Sequence, residues 1–434
     1  MVARQFIFII VMMVSMAAHA VPDIQHWQTS NGSRVYFVSA PELPMVDISV
    51  VFDAGSARDG QQTGIALLTN AMLNEGAGSL TTDQIAAAFD DVGARFSHSS
   101  ERDMATLGLR TLTADKAMAS AIATYTKVLT QPDFPQASFD RLRNQILIGL
   151  RSEKQSPGAL AARAYYKNLF GDHPYASMPS GDEQSVMTIT LEQLKAFYQQ
   201  YYVAKNAVVV IVGALDKEQA EDIAEQLLVN LPTGDAAQPI TEVEALTESK
   251  IVTIVHPSTQ THILMGQPGI SRGDKDYFAL YVGNHILGGS GLVSRLSNEI
   301  REKRGLSYST YSYFRPMRQQ GPYQFGLQTR NDQAKEALQV MQATLKDFIE
   351  HGPTDDELTA AKQNITGGFA LRVDSNSKIA GYLAMISFYG LSLDYLDTFK
   401  AKVNAVTIKQ IKDAYNRRIH PDKMLTVMVG GEAE

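Results

Sequence analysis

The sequence predicts an α+β protein made of two homologous domains, each an antiparallel sheet with helices packed mainly on one face. Three observations carry this. The first is an internal repeat. Asp115-Lys116-Ala117 recurs as Asp332-Gln333-Ala334, an offset of 217 residues, and Asn144-Gln145-Ile146 recurs close to that offset as Gln363-Asn364-Ile365. Each lies at a long helix, and a period of that length means two copies of one domain, not a solenoid. The second is element order: strands come as neighbours and helices in blocks, which favours antiparallel pairing over alternating βαβ units. The third is size. At 434 residues the chain is too long for one ordinary core.

The elements follow from periodicity. Residues 1–20 read as a secretory signal peptide: Arg4 as the charged region, an apolar run over 6–18, and Ala18-His19-Ala20 as a small-residue cleavage site. The run is too short for a membrane span, which needs about 20 residues. Cleavage, a periplasmic location and no membrane span in the mature chain are the expectations. The first domain, 21–235, opens with strands at 34–39 and 46–52. Apolar positions at helical spacing predict a helix over 64–74 and another over 82–92. Strands at 94–98 and 104–111 follow, then helices over 115–129, 138–153, 160–170 and 191–201. The run AVVVIV at 207–212 reads as a strand buried on both faces. A helix over 217–231 closes the half.

Residues 232–248 (PTGDAAQPITEVEALTE) lack periodicity, and the interdomain linker is expected at 236–249. The second domain, 250–434, repeats the plan. Strands are expected at 251–256 and 261–267, a helix at 278–287, and a Gly288-Gly289-Ser290-Gly291 turn. A helix over 292–303, ended by Gly305, leads to strands at 307–314 and 323–328 and helices over 332–350 and 354–371.

Composition narrows the chemistry. Cysteine is absent, which excludes disulfides, thiolate metal sites and thiol nucleophiles. A net charge of −7 offers no basic surplus for nucleic acid. No two of the nine histidines are three or four apart, so no helix presents paired imidazoles to a metal. His256 and His262 are separated by Pro257, which breaks the strand a shared site would need. Ser290 lacks the glycine pattern of a nucleophile elbow, and no phosphate-binding glycine motif occurs. The segment EIREKRGLSY at 299–308 is more informative. Arg301 near a helix end and Tyr308 past the turn can face one cleft. A guanidinium offers forked donors to carbonyls, and a phenol can donate to an oxyanion. By spacing alone, a surface arginine and a packed tyrosine are the favoured reading.

Longer stretches resemble the pitrilysin (insulinase, mitochondrial processing peptidase) family of inverted zincins. NHILGGSGLVSRLSNEIREKRGLSY at 284–308 is similar to that family's LGG…SRL…EIREKRGLxY stretch. LFGDHPYASMPSGDEQSVMTIT at 169–190 and FYQQYYVAKNAVVVIVGALD at 197–216 resemble its first-half motifs. The resemblance spans residues 28–431. It fails at the metal motif. Where active members carry G-[LI]-A-H-x-x-E-H, this chain has Gly64-Ile65-Ala66-Leu67-Leu68-Thr69-Asn70-Ala71. Leu67 and Ala71 replace both histidines, and Asn70 replaces the base. The third ligand is expected near Ile148 and Gly149, neither of which binds metal.

The resemblance thus implies no metal in this chain. It implies that Arg301 and Tyr308 match the family's substrate-binding Arg–Tyr pair. Some members divide the work between two chains, and this one resembles the chain that lost its metal. The implied function is the non-catalytic subunit of a periplasmic heteromeric zinc metalloendopeptidase. A homologous HxxEH-containing partner would hold the zinc, and the pair would bind a peptide or unfolded polypeptide. His98, in the strand against which family substrates pair, is expected to face solvent or to impair that pairing. A non-enzymatic peptide-binding or assembly scaffold is the alternative, and a stand-alone hydrolase with an unrecognised site is a third reading.

Overall fold

The computed structural model describes residues 23–431. The expected signal peptide lies outside the described residues. Each half holds one large sheet, and the first half adds a small two-stranded one, Gly76–Ala77 against Leu80–Thr81. In the first, β1 (Gln25–Gln28), β2 (Arg34–Ser39), β3 (Met45–Phe52), β4 (Arg95–Ser100), β5 (Ala105–Leu112) and β6 (Ala207–Gly213) lie in the order β1-β2-β6-β3-β5-β4. In the second, β7 (Lys250–Ile254), β8 (Gln260–Pro268), β9 (Thr310–Phe314), β10 (Pro322–Arg330) and β11 (Leu425–Val429) lie in the order β9-β10-β8-β11-β7. Apart from β1, the two orders are the same sequence of equivalent strands. The sheets are antiparallel except at one matched place. There β2 runs parallel to β6, Arg34 opposite Val208, and β7 runs parallel to β11, Leu425 opposite Lys250.

The inner faces carry the two main cores. Val35, Phe37, Ile48, Val50, Val209 and Ile211 pack under the first half's own helices, and Ile263, Met265, Tyr323, Phe325 and Leu327 under the second's. So helices do gather on one face of each sheet within its own half. The opposite faces are not left to water, because each is covered by a helix from the other half. Tyr36, Val38, Val51, Val208, Val210 and Val212 of the first sheet join the second half's core, and the helix Asn376–Tyr389 lies across β6 and β3. In return, the helix Pro157–Phe170 lies across β8 and β11. Its Tyr165, Tyr166, Leu169 and Phe170 pack on Leu264, Leu425, Val427 and Val429. Burying a large apolar side chain stabilises by roughly 1.5–3 kcal/mol. This crossed packing therefore contributes directly to holding the halves together. It also explains why β6 is buried at every residue.

Polar contacts reinforce the junction. Asp103, 2% exposed, accepts hydrogen bonds from the Tyr175 hydroxyl (2.6 Å), the Tyr389 hydroxyl (2.9 Å) and the Arg318 backbone N–H (2.8 Å). Asp53 pairs with Arg58 of its own half (2.8 Å) and Arg318 of the other (3.2 Å). The segment 236–249 has no helix or strand, yet it is bound along its path. Arg58 donates to the Gln238 carbonyl, Ala237 N–H to Asn206, and Gln319 to the Ile240 carbonyl.

Several sequence expectations change in detail. The strand expected at 307–314 begins at Thr310, so Tyr308 precedes it. The helix expected over 292–303 is a short 3-10 turn, Gly291–Val293, followed by a π-helical turn, Ser297–Glu302. The helix at 278–287 ends at Asn284 and continues as a π-helical turn, His285–Gly289. Among the described residues, no helix is long and apolar enough to cross a membrane.

Candidate functional site

The motif helix, Ile65–Met72, starts at Gly64, whose φ of +99° is a left-handed conformation that glycine adopts without strain. Asp59 reaches over this start and accepts from the Gly64 N–H (2.7 Å) and the Ala66 N–H (3.0 Å). It thus satisfies two donors that every helix N-terminus leaves open. Asp59 is 3% exposed, and burial pushes its carboxyl up to about 7 against the pull of those two backbone donors.

The helix packs against β4, and the contact is sealed. Asn70 is fully buried; its amide donates to the Tyr202 hydroxyl (3.3 Å) and its carbonyl oxygen faces His98 Nδ1 at 3.1 Å. An amide oxygen only accepts, so this orientation has His98 donating from Nδ1. Burial lowers the His98 pKa, while the charge of Glu75 opposes the shift. As expected, His98 is exposed on the edge strand β4, but it is not without a partner, because the helix behind the strand engages its Nδ1 through Asn70. Leu67 and Ala71 are half-buried beside Asn70, and Ile148 is 65% exposed. Aliphatic groups and an engaged amide do not fit zinc, whose sites are built from imidazole, thiolate or carboxylate. Among the described residues no cluster of three His, Asp or Glu side chains could hold a metal.

The second half's corner is built differently. Arg301 lies in the π-helical turn Ser297–Glu302, an irregularity frequent at functional sites. Gly305 stops it with φ +62°, and Gly305 N–H bonds the Arg301 carbonyl while Leu306 N–H bonds the Ile300 carbonyl, both at 2.9 Å. This paired closure turns the chain sharply. Ser307 then anchors it by donating to the Gln328 carbonyl at 2.7 Å. The outcome is that the Arg301 guanidinium sits 4.6 Å from the centre of the Tyr308 ring. Tyr308 is 82% exposed, and Arg301 Nη1 is shielded from solvent without a hydrogen-bond partner. The nearest carboxylate, Glu302, is 3.4 Å from Arg301 Nε. The structure thus brings Arg301 and Tyr308 together. It does not join them to Leu67, Asn70 and Ala71: the two groups share no hydrogen bond or ion pair among the described residues.

Sequence reasoning missed Asp59 and its counterpart. Asp276 stands 217 residues later, the repeat offset, at the start of the equivalent helix Tyr277–Asn284. Hydrogen bonds from Arg417 hold its carboxyl down to about 2, with Arg418 adding to them and partial burial opposing. The repeat was the signal that could have found both.

Comparison with known proteins agrees with this geometry. Residues 34–179 match the model of insulinase, peptidase family M16, and residues 188–365 match that of the peptidase M16 inactive domain. A crystal structure of a peptidase M16 inactive domain from Pseudomonas fluorescens superposes with a TM-score of 0.92 and 42% identity, covering 94% of this chain and 98% of that one. The non-peptidase homolog YmxG of Helicobacter pylori is 28% identical over 386 residues, 86% of this chain and 85% of that protein. An uncharacterized zinc protease of Streptomyces coelicolor, SCO5738, is 23% identical over 404 residues, 91% of this chain and 87% of that protein. Sequence, fold and an inactive-type site coincide: the chain belongs to the insulinase family, peptidase family M16, as a member whose own site is consistent with a non-catalytic role.

Proposed function

We propose that this chain is the non-catalytic subunit of a periplasmic heteromeric zinc metalloendopeptidase. It binds a peptide or unfolded polypeptide and presents Arg301 and Tyr308 to the active site of a homologous, HxxEH-bearing partner. The observation that carries this reading is the exposed Tyr308 side chain, its ring 4.6 Å from a guanidinium with an unused donor. Both groups can donate: Tyr308 is exposed, and Arg301 keeps Nη1 without a partner although its Nε lies 3.4 Å from Glu302. Arg301 suits a substrate carbonyl, and Tyr308 suits the oxyanion that forms when the carbonyl is attacked. The metal and the base come from the partner, because the first half of this chain holds neither.

A pull-down of the tagged chain from native periplasm, assayed for zinc and peptide hydrolysis, tests the proposal. The expected result is a co-purifying HxxEH chain with stoichiometric zinc and peptidase activity. A lone, metal-free, inactive chain would remove the subunit role and favour a peptide-binding or assembly scaffold.

A further inference from the structure

Two cavities of about 440 and 320 Å³ share Arg272, Pro316 and Arg372 as a common wall. The larger lies between the halves, and most of its charge is already balanced. Arg315 pairs with Glu101 at 2.6 Å, Lys378 with Asp374 at 2.8 Å, and Asp103 is filled by its three donors. Arg102 donates to the Tyr175 and Ser177 carbonyls. The smaller cavity runs beside the edge strand β9, with Ser312, Tyr313 and Phe314 in its wall, and no carboxylate lines it.

Its ionisable lining is Arg272, Arg372, His285 and the phenols of Tyr277, Tyr281 and Tyr313. Burial, and then the charge of Arg372, pushes His285 down, so its imidazole stays neutral near pH 7. Burial pushes the Tyr277 and Tyr313 phenols up, away from ionisation. Two positive charges therefore stand without a counter-charge. Among the described residues, the Arg272 side chain makes no hydrogen bond or ion pair, and its Nε is shielded from solvent with no partner. Its guanidinium lies 5.5 Å from the centre of the Tyr389 ring. Arg372 donates to the Tyr281 hydroxyl at 2.9 Å and has no carboxylate partner. An unpaired, shielded guanidinium N–H is costly unless a ligand supplies the acceptor.

We propose that Arg272 and Arg372, in the wall that the two cavities share, form a carboxylate-binding site, and that its ligand is a carboxylate of a bound peptide, either the C-terminus or an Asp or Glu side chain. This rests on the peptide-binding reading and narrows it to acidic or C-terminal segments. A forked guanidinium matches a planar carboxylate bidentately, and the cavity wall adds apolar contacts from Pro316 and Phe314.

The test uses the full chain without partner or zinc, and calorimetric titration of one N-acetylated Ala/Gly octapeptide carrying a single Tyr. Three forms are compared: a free C-terminal carboxylate, a C-terminal amide, and the amide with one internal Glu. At least one carboxylate form is expected to bind tenfold or more tighter than the plain amide, and which one identifies the source. Arg272→Gln is expected to erase that preference. Binding of all three forms within twofold of one another by the wild-type chain overturns the site, and this holds even if the variant misfolds. A folded Arg272→Gln chain that keeps the preference also overturns it. Because no partner is present, failure here leaves the subunit role standing. A failed pull-down leaves carboxylate recognition standing.

Discussion

In the first half, the helix Ile65–Met72 meets the edge strand β4 and the contact is closed: Asn70 is fully buried between His98 and Tyr202. In the second half, the chain reaches its edge strand β9 through a tight turn and the corner is open. Tyr308 is 82% exposed, and Arg301 keeps a donor without a partner. The start of the equivalent helices shows the same contrast with one residue type. Asp59 is buried among neutral backbone donors and its pKa rises to about 7; Asp276 is gripped by Arg417 and Arg418 and its pKa falls to about 2. The lesson is that duplication preserves positions, whereas environment assigns chemistry. In one copy Asn70 is spent on contacts inside the fold, and in the other Tyr308 faces outward.

The sharpest way to break the comparison is to change the open corner. If the chain serves as the proposed subunit, Tyr308→Phe is expected to lower kcat/KM of the complex by about 10²–10³, the usual cost of one oxyanion donor. Co-purification should stay unchanged, because an exposed hydroxyl supports no packing. Wild-type turnover by this variant would show that the corner is a relic.

The next effect contrasts the aspartates by pH. Asp59 binds its proton more tightly folded than unfolded, where the value is near 3.8. Its contribution is fully present below pH 4 and is lost as pH rises through about 7. Asp276 behaves oppositely: its contribution is present above pH 4 and is lost as pH falls through about 2. Thermal melts from pH 3 to 8 should show Asp59→Asn gaining on wild type as pH rises. The gain is on the order of a few kcal/mol across the window. Asp276→Asn should be most destabilised above pH 4 and approach wild type in acid. Parallel curves for the two variants would contradict the contrast.

A smaller effect probes the sealed cleft. Asn70→Ala leaves His98 and the Tyr202 hydroxyl short of a partner and should cost about 1–3 kcal/mol in urea unfolding. Peptidase activity of the assembled complex should change little once the variant is folded. The smallest effect is expected from partial repair. Leu67→His combined with Ala71→His should bind no stoichiometric zinc by metal analysis, since Ile148 supplies no third ligand. Tight zinc in that double variant would mean that the cleft is less closed than its contacts indicate.

Much of this was legible in the residues. The 217-residue repeat foretold two copies of one α+β unit, the AVVVIV run foretold a strand buried on both faces, and Leu67, Asn70 and Ala71 are read directly as side chains that cannot serve as zinc ligands or base. Those readings rest on local chemistry: period, apolar run and side-chain type survive without knowing the fold. What covers the second face of β6 was not legible. An amphipathic stripe reports that a surface is buried, not what buries it, and the helix Asn376–Tyr389 comes from the far end of the chain. The partner of His98, the shared hold of Tyr175 and Tyr389 on Asp103, and the unpaired Arg272 belong to the same class. Each joins or leaves apart residues distant in sequence, with no fixed spacing to betray them. The chain alone thus determined its two-copy plan and the loss of its metal residues. Tertiary packing alone decided which polar groups were spent on the core and which were left free to meet a ligand, because burial and pairing are properties of neighbours in space.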